Sequence, residues 1–544
     1  MRSITLRHWQ RDALRAFDTR KRDSFLTVAC PGAGKTTFAL CAVRQYLRGE
    51  RKPIVIVVPT QHLKKQWAEA ATRFGIHLEP DWQWRKGLPA DMHGVVVTYA
   101  QASSSVKSLA KLASGGIVVL DEVHHAANER SWGEGVRLAF ELSECRLLLS
   151  GTPFRTDDNP IPYVTYSFGD YGEAVADYSY GYGDALRDGG VVRPVFFPRF
   201  DGHMEWVSSG GDEMSASFEE DLRRDQWGAR LRTALSVEGQ WLPTVMARAH
   251  ERLVDVRRTH ANAAGLVIAT DQDHARAIAR LLKAAHGVTA RVALSDDSKA
   301  SDVIAKFADS TDPWIVAVRM ISEGVDIPRL RVAVFATTTA TAMFFRQAVG
   351  RIARWTPGLN SQKAYMFVPD DPRVRLHALT IAQERRHSIE ARRQAQEQAG
   401  VLDEVRRERA DEQMSLFQAL SSTVVGDHEP LPPSDGLDPA EDLIAGASSL
   451  VGIDVELPAP PPLPGRAPDP RSMLADLRSR EAEKRELRDF SSARVAELVR
   501  LTGWDHARVN SELNKRSSVQ SVMEATVVQL QHRLREADKW INSL

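Results

Sequence analysis

Cysteine is scarce in this sequence: Cys30, Cys41 and Cys145 are the only three in 544 residues. An odd count without metal-ligand spacing supports neither a disulfide framework nor a zinc site, and a reducing cytoplasm is the compartment that suits it. Long apolar runs are missing too. Stretches such as Ile54–Val58 fall far short of the roughly 20 residues that span a bilayer, and the opening MRSITLRHWQ has no signal-like segment. Neither export nor membrane insertion is expected. Net charge is also absent, with 71 Lys plus Arg against 71 Asp plus Glu, so any affinity for nucleic acid must come from local basic surfaces.

What is present predicts a large multidomain protein. At roughly 150 residues per domain the length implies three or four folded units, and 43% apolar with 26% charged residues is ordinary globular composition. From residue 25 to about 200 the runs FLTVAC, PIVIVVP, GVVVTYA, GGIVVLD and CRLLLSG read as buried strands alternating with amphipathic stretches, the pattern of a parallel α/β sheet. A second set follows from about 264, with GLVIAT, TARVAL, WIVAVRM, LRVAVFATT and KAYMFVP. The domains expected are a first lobe over 1–200, a helical bridge over 201–262 with an apolar stripe of Leu222, Ala229, Leu231 and Leu235, a second lobe over 263–370, and a charged helical extension over 371–423.

Residues 424–470 hold eleven prolines and nine acids against one Arg. Such a stretch buries too little apolar surface to offset its ordering entropy and is expected to be an extended, mostly disordered linker. Residues 471–544 form a separate helical module, whose last helix shows Met523, Val527, Leu530, Leu534, Ala537 and Ile541 on one stripe. In ARVAELVRLTGWDHARVNSELNKR a helix, a turn at Gly503 and a second helix after Asp505, with Arg508, Lys515 and Arg516 exposed, also suit a helix-turn-helix. The net charge of the module is only +3, from 14 basic and 11 acidic residues, which favours protein docking.

Chemistry concentrates where FLTVAC runs into Pro31, Gly32, Ala33, Gly34, Lys35 and Thr36 ahead of a helical stretch. Glycines let backbone N–H groups converge on phosphate, Lys35 reaches the terminal phosphates, and the Thr36 hydroxyl can ligate Mg²⁺. At GGIVVLDEVHH a buried strand delivers Asp121 to hold Mg²⁺ and Glu122 to orient the attacking water; such a pair also serves as an ordinary helix cap.

Read together, LRHWQRDAL, ACPGAGKTT, PTQHLKKQW, DEVH, SGTPF, SEGVDIP and QAVGRIAR resemble, in order, the motifs of helicase superfamily 2. The resemblance covers residues of about 6 to 354. It implies an α/β fold of two RecA-like parallel-sheet lobes in tandem, here with a helical insertion and a C-terminal helical module. ATP and Mg²⁺ are the implied cofactors. Gln10 resembles the glutamine whose amide reads the adenine edge, and Ala29 stands where the general phosphate-loop pattern has glycine, a variant shared with the family.

By the same resemblance Arg354 is the arginine finger, with Arg351 beside it on a shared helix face and Gln347 near the attacking water or His124. Positive charge of this kind is what the breaking phosphate bond requires. ATP held by Lys35 on one lobe and Arg354 on the other would favour lobe closure, with opening after hydrolysis. Ser150 and Thr152 couple the ATP state to the nucleic-acid strand, Asp326 organises its motif near the nucleotide, and Thr60, Thr98, Thr270 and Gly324 are candidates for contacting the strand's backbone; for Thr98 and Thr270 a plain strand-end role stays open.

DEVH, SGTPF and QAVGR depart from the DEAD-box RNA-remodelling branch and look more like DNA translocases and helicases of the restriction, excision-repair and phage type. The expected function is an ATP-dependent DNA helicase or translocase. An RNA-remodelling ATPase and a nucleotide-gated scaffold recruiting protein partners through residues 471–544 are the alternatives.

Overall fold

A computed structural model describes residues 3–83, 87–127, 130–151, 161–167, 174–207, 213–220, 222–294, 300–318, 327–359, 362–411, 453–462 and 480–543. They form two units. One runs to Tyr180 and takes in the described residues beyond 451; the other holds those from Gly181 to Leu450.

The first unit begins with β1 (Ser3–Leu6), α1 (His8–Asp18), β2 (Ser24–Ala29), α2 (Lys35–Leu47), β3 (Ile54–Val58), α3 (Gln61–Thr72) and β4 (Leu78–Glu79). It continues with β5 (Gly94–Thr98), α4 (Tyr99–Ser104), α5 (Val106–Ala113), β6 (Ile117–Leu120), α6 (Arg130–Phe140), β7 (Cys145–Ser150) and β8 (Tyr178–Tyr180). The five runs read as strands are β2, β3, β5, β6 and β7. They lie in one parallel sheet of order β4-β5-β3-β6-β7-β2-β8. All five residues of β3 are buried, as strands covered by helices on both faces must be. Because β6, β7 and β2 are neighbours, the residues that follow them, around Asp121, Gly151 and Pro31, share the carboxyl edge where open α/β sheets bind ligands.

The second unit contains α7 (Tyr182–Asp188), β9 (Val195–Phe196), β10 (Arg199–Phe200), β11 (His203–Val207), β12 (Glu213–Ser217), α8 (Arg224–Ala234), α9 (Trp241–Thr259), β13 (Ala264–Ala269) and α10 (Gln272–His286). After them come β14 (Arg291–Ala293), α11 (Ala300–Ala308), β15 (Trp314–Val318), β16 (Leu330–Ala336), α12 (Ala342–Ile352), β17 (Ala364–Pro369) and α13 (Pro372–Asp411). Its parallel sheet has the order β10-β17-β16-β13-β15-β14, with β9 also on β17. The fold is therefore α/β with two parallel sheets in tandem.

Local details differ from the sequence reading. β9 and β10 fall within the stretch 1–200 expected as the first lobe yet pair with the second sheet. The stretch expected as a helical bridge opens with the antiparallel hairpin β11–β12 before turning helical, and Leu231 and Leu235 of its apolar stripe are buried. α9 packs into the same apolar core as β13 and β16, so it is part of the second unit rather than a spacer.

The chain closes with β18 (Ile453–Glu456), α14 (Arg480–Thr502), α15 (His506–Ser517) and α16 (Val527–Asn542). Inside the stretch expected to be a linker, β18 is an ordered strand antiparallel to β1, with Ser3 opposite Glu456 and Leu6 opposite Ile453. The C-terminal region is helical as expected, turning at Gly503 (φ +68°) with Asp505 capping α15 through Arg508 N–H. Leu530 and Ala537 of the apolar stripe are buried with Trp540. Arg508 and Arg516 stack on Trp504 and Trp540 at 4.0 and 4.1 Å. The module is not free-standing: Lys484 Nζ lies 2.6 Å from Asp91 Oδ1 and Arg488 3.0 Å from Glu79 Oε2 of the first unit. Among the described residues no helix is long and apolar enough to cross a membrane.

Candidate nucleotide site

Gly34 ends the loop between β2 and α2 with φ +95°, a left-handed conformation that favours glycine. A Cβ there would also meet Gln10 Nε2 at 2.7 Å. Gly32 has φ +86°. This backbone lets Lys35 and Thr36 start a helix at the sheet edge, where N–H groups and the helix dipole face an anion.

Lys35 Nζ lies 3.1 Å from Glu122 Oε1 and donates to the Ala29 carbonyl at 3.2 Å. Glu122 Oε2 accepts from the Gly151 N–H at 3.1 Å. One carboxylate, on the acid that follows β6, thus joins the loop lysine to the turn after β7. Burial alone would raise the Glu122 pKa, but the Lys35 charge and the Gly151 N–H hold it below the usual carboxylate range. Its neighbour goes the other way: burial, then the charge of Glu122, pushes Asp121 up. Glu122 has φ +47°, a conformation that costs a non-glycine residue about 1–3 kcal/mol and that clusters at functional sites.

Asp121 is 8% exposed. Its Oδ2 accepts from the Trp67 indole at 2.8 Å and its backbone carbonyl from Tyr99 OH at 2.8 Å. His124 Nδ1 lies 3.1 Å from Ser150 Oγ and 3.7 Å from Glu122 Oε2. Burial, then His125, lowers its pKa to about 3, so the imidazole is neutral near pH 7. The structure therefore brings Lys35, Glu122, His124, Ser150 and Gly151 into one contact network, with Asp121 adjacent in sequence and held by Trp67.

Mg²⁺ takes one or two carboxylates and completes its shell with water and phosphate oxygens. Asp121 and the half-buried Thr36 suit such an ion. Among the described residues no group of three His, Cys, Asp or Glu side chains forms a metal cage.

Gln10, expected to read the adenine edge, packs against the phosphate loop. It is 4% exposed, its Oε1 accepts from Arg7 N–H at 2.9 Å and its Nε2 donates to the Gly34 carbonyl at 2.9 Å. These two bonds use one donor and one acceptor of the amide, which has a second of each. Thr98 serves locally: buried, it caps α4 by accepting from Gln101 N–H at 3.2 Å. Thr270 donates to the Ala336 carbonyl at 3.4 Å at the end of β13, and Thr60 is the half-buried N-cap of α3. Thr152, Gly324 and Asp326 lie outside the described residues.

In the second unit Gln347 and Arg351 are one turn apart on α12, but Arg354 does not share the helix. α12 ends at Ile352, and Arg354 forms an extended bridge with Val192. Pro357, three residues on, disfavours a helical continuation. The bend is anchored by Arg193, fully buried, which donates to the Leu330 and Pro328 carbonyls and to Thr356 Oγ1 at 3.0–3.1 Å. Arg193, Trp67, Arg7 and Trp9 were not singled out by the sequence. Trp67 lies inside PTQHLKKQW and was within reach of motif reasoning; Arg193 carries no local signal.

Comparison with known proteins adds the family. Residues 3–155 match the type III restriction enzyme, res subunit family, and residues 248–356 the helicase conserved C-terminal domain. An uncharacterized protein of Mycobacterium tuberculosis, Rv2917, is 44% identical over 392 residues, 71% of this chain and 64% of that protein. The chain thus matches under two thirds of the length of that relative. The DNA 3'-5' translocase XPB2 of Sulfurisphaera tokodaii is 25% identical over 377 residues, 64% of this chain and 79% of that protein. Among solved structures, the ATP-dependent Type ISP restriction-modification enzyme LlaBIII bound to DNA is 13% identical with a TM-score of 0.46, covering 71% of this chain and 30% of that one.

Proposed function

The chain is a member of helicase superfamily 2, with the two domains of that family in tandem, and on that premise we propose that it hydrolyses ATP to translocate along or remodel DNA. The observation that carries the proposal is the Lys35–Glu122–Gly151 network at one sheet edge. Lys35 meets the terminal phosphates. Glu122, kept ionised by Lys35, is in the form that takes a proton from the attacking water. Thr36 and Asp121 hold Mg²⁺, which supplies charge neutralisation on the phosphate oxygens. The neutral His124 links Glu122 to Ser150 after β7 and so gives the motif SGTPF a route to sense the phosphate.

By the motif resemblance, Arg351 and Arg354 are assigned the further positive charge that the breaking phosphate bond requires, and Gln347 a place near the attacking water or His124. Thr60, Thr270 and Gly324 contact the nucleic-acid backbone, which fixes register without reading bases. DNA is chosen over RNA on the motif pattern and on the DNA translocase named among the relatives. Activity in the cytoplasm and a docking role for the C-terminal helices belong to the same reading.

The test is an ATPase titration with single-stranded DNA, duplex DNA and RNA at one stated salt concentration, because phosphate-driven affinity changes steeply with salt. Turnover is expected to be low alone and to rise with DNA. Lys35→Ala, Glu122→Gln and Arg354→Ala are each expected to lower stimulated turnover by at least about 100-fold, the scale of losing a preorganised charge at the reacting centre. Equal stimulation by RNA removes the DNA preference, and unchanged turnover in Glu122→Gln removes the assignment of the base.

A further inference from the structure

Granting Lys35 and its loop as the nucleotide site, one arrangement goes beyond it. Three successive carbonyls of that loop are taken by side chains from residues 7–10. Arg7 NH1 donates to the Gly32 and Ala33 carbonyls at 3.0 and 2.7 Å, Trp9 Nε1 to Ala33 at 3.0 Å, and Gln10 Nε2 to Gly34 at 2.9 Å. In a planar trans peptide the C=O and the following N–H point opposite ways. Pinning the Ala33 and Gly34 carbonyls therefore fixes the directions of the Gly34 and Lys35 N–H groups, the donors an incoming phosphate needs.

Arg7 directly follows β1, and among the described residues β1 has β18 as its one strand partner. The ladder is reinforced by Thr5 Oγ1 donating to Asp454 Oδ1 at 2.7 Å, across 449 positions of sequence. Beyond β18 the chain holds the far end of α2, the helix that starts at Lys35: the Pro458 carbonyl accepts from Arg44 in its last turn, while Leu457 and Pro461 are buried. The following helices are fastened to the same unit by buried charges. Asp91 takes Lys484 on Oδ1 and the Val527 N–H on Oδ2 at 3.1 Å, and Arg488 reaches Glu79.

We propose that residues 453–462 are a strap that positions the phosphate-binding loop, acting through β1 on the Arg7, Trp9 and Gln10 contacts and through Arg44 on α2. A two-stranded ribbon that loses one strand has little left to order it. Without the strap, the cost of ordering Arg7–Gln10 and the loop falls on nucleotide binding. The strap residues touch no reacting atom, so their removal changes affinity and leaves the chemical step.

The experiment uses the full-length protein with Val455→Pro, which takes an N–H out of the strand. Binding of a fluorescent ADP analogue is measured by equilibrium titration, alongside KM and kcat for ATP with Mg²⁺. The expected result is nucleotide binding about 10-fold weaker and KM raised to match, with kcat at saturating ATP within about twofold of the wild type, the split expected when binding rather than the transition state is affected. Val455→Thr restores the wild-type values. Arg7→Met gives the same loss, and the double variant is no worse than either single one, because both act on one contact set. Wild-type affinity in Val455→Pro, or a double variant showing the product of the two losses, overturns the strap. Should Val455→Pro not fold, Thr5→Ala with Asp454→Ala decides: an affinity loss of about threefold supports the proposal and wild-type affinity overturns it, since that side-chain bond is exposed and its removal costs little else. Lys35→Ala separates the two readings. If it binds nucleotide as tightly as the wild type, the nucleotide site itself is misassigned, whatever the strap variants do.

Discussion

The Trp67 indole donates to Asp121 Oδ2 at 2.8 Å and thereby sets the orientation of the carboxylate assigned to Mg²⁺. Partners of this kind typically change metal affinity by 10- to 100-fold when lost. Trp67→Phe keeps an aromatic side chain but removes the N–H donor together with the second ring of the buried indole. It is expected to raise the Mg²⁺ concentration for half-maximal ATPase about 10-fold while maximal turnover at saturating Mg²⁺ stays near the wild type, as measured by Mg²⁺ titration. His124 makes a second residue-scale prediction. Burial lowers its pKa to about 3, against roughly 6.5 in an unfolded chain. Between those values the unfolded chain binds a proton that the folded one refuses, so the contribution of His124 is complete above about pH 6.5 and is lost as pH falls toward 3. Urea midpoints at pH 7 and pH 5 are expected to differ less for His124→Asn than for the wild type. An equal drop in both sinks this assignment.

At the scale of elements, legibility followed how local the cause was. Strands β2, β3, β5, β6 and β7 were readable because both faces are buried and the apolar run is continuous. The loop before Lys35 was readable because glycine, lysine and threonine are each demanded by phosphate geometry. The packing of Gln10 and the helix end before Arg354 were not, because they depend on neighbours: Gln10 is held by the Arg7 N–H and the Gly34 carbonyl, and Arg354 bridges to Val192 beyond the end of α12. β18 was hidden by composition, since four residues between prolines form a strand only when β1 is there to pair with them. Arg193 shows the energetic weight of such distant contacts. Its loss in Arg193→Met leaves several buried acceptors unmatched and is expected to lower local stability by about 2–4 kcal/mol. Amide exchange in Leu330–Ala336, read by mass spectrometry, should then accelerate by roughly 30- to 700-fold; unchanged exchange would show that Arg193 does not hold the bend.

For the whole molecule, the joint between the C-terminal helices and the first sheet is ionic and buried: Lys484 is fully buried and Asp91 is 6% exposed. Burial lowers the Lys484 pKa and Asp91 opposes that shift. Removing one member of such a pair strands the other and costs about 3–5 kcal/mol, whereas removing both charges together costs much less. Lys484→Met is therefore expected to loosen the joint and expose residues 480–543 to limited proteolysis. Lys484→Met with Asp91→Asn, which retains an acceptor for the Val527 N–H, is expected to recover most of the wild-type resistance. Equal susceptibility in the single and double variants would place the docking energy in the apolar contacts instead.

The pairing of Ser3–Leu6 with Ile453–Glu456 also has a consequence for how the protein comes into being. During synthesis the first strand leaves the ribosome some 449 residues ahead of its mate, and at about 5–20 residues per second that is a wait of roughly 20 to 90 s. The intervening unit has time to fold in the meantime, so the half that carries the phosphate loop is the last to be completed, although most of it is made first.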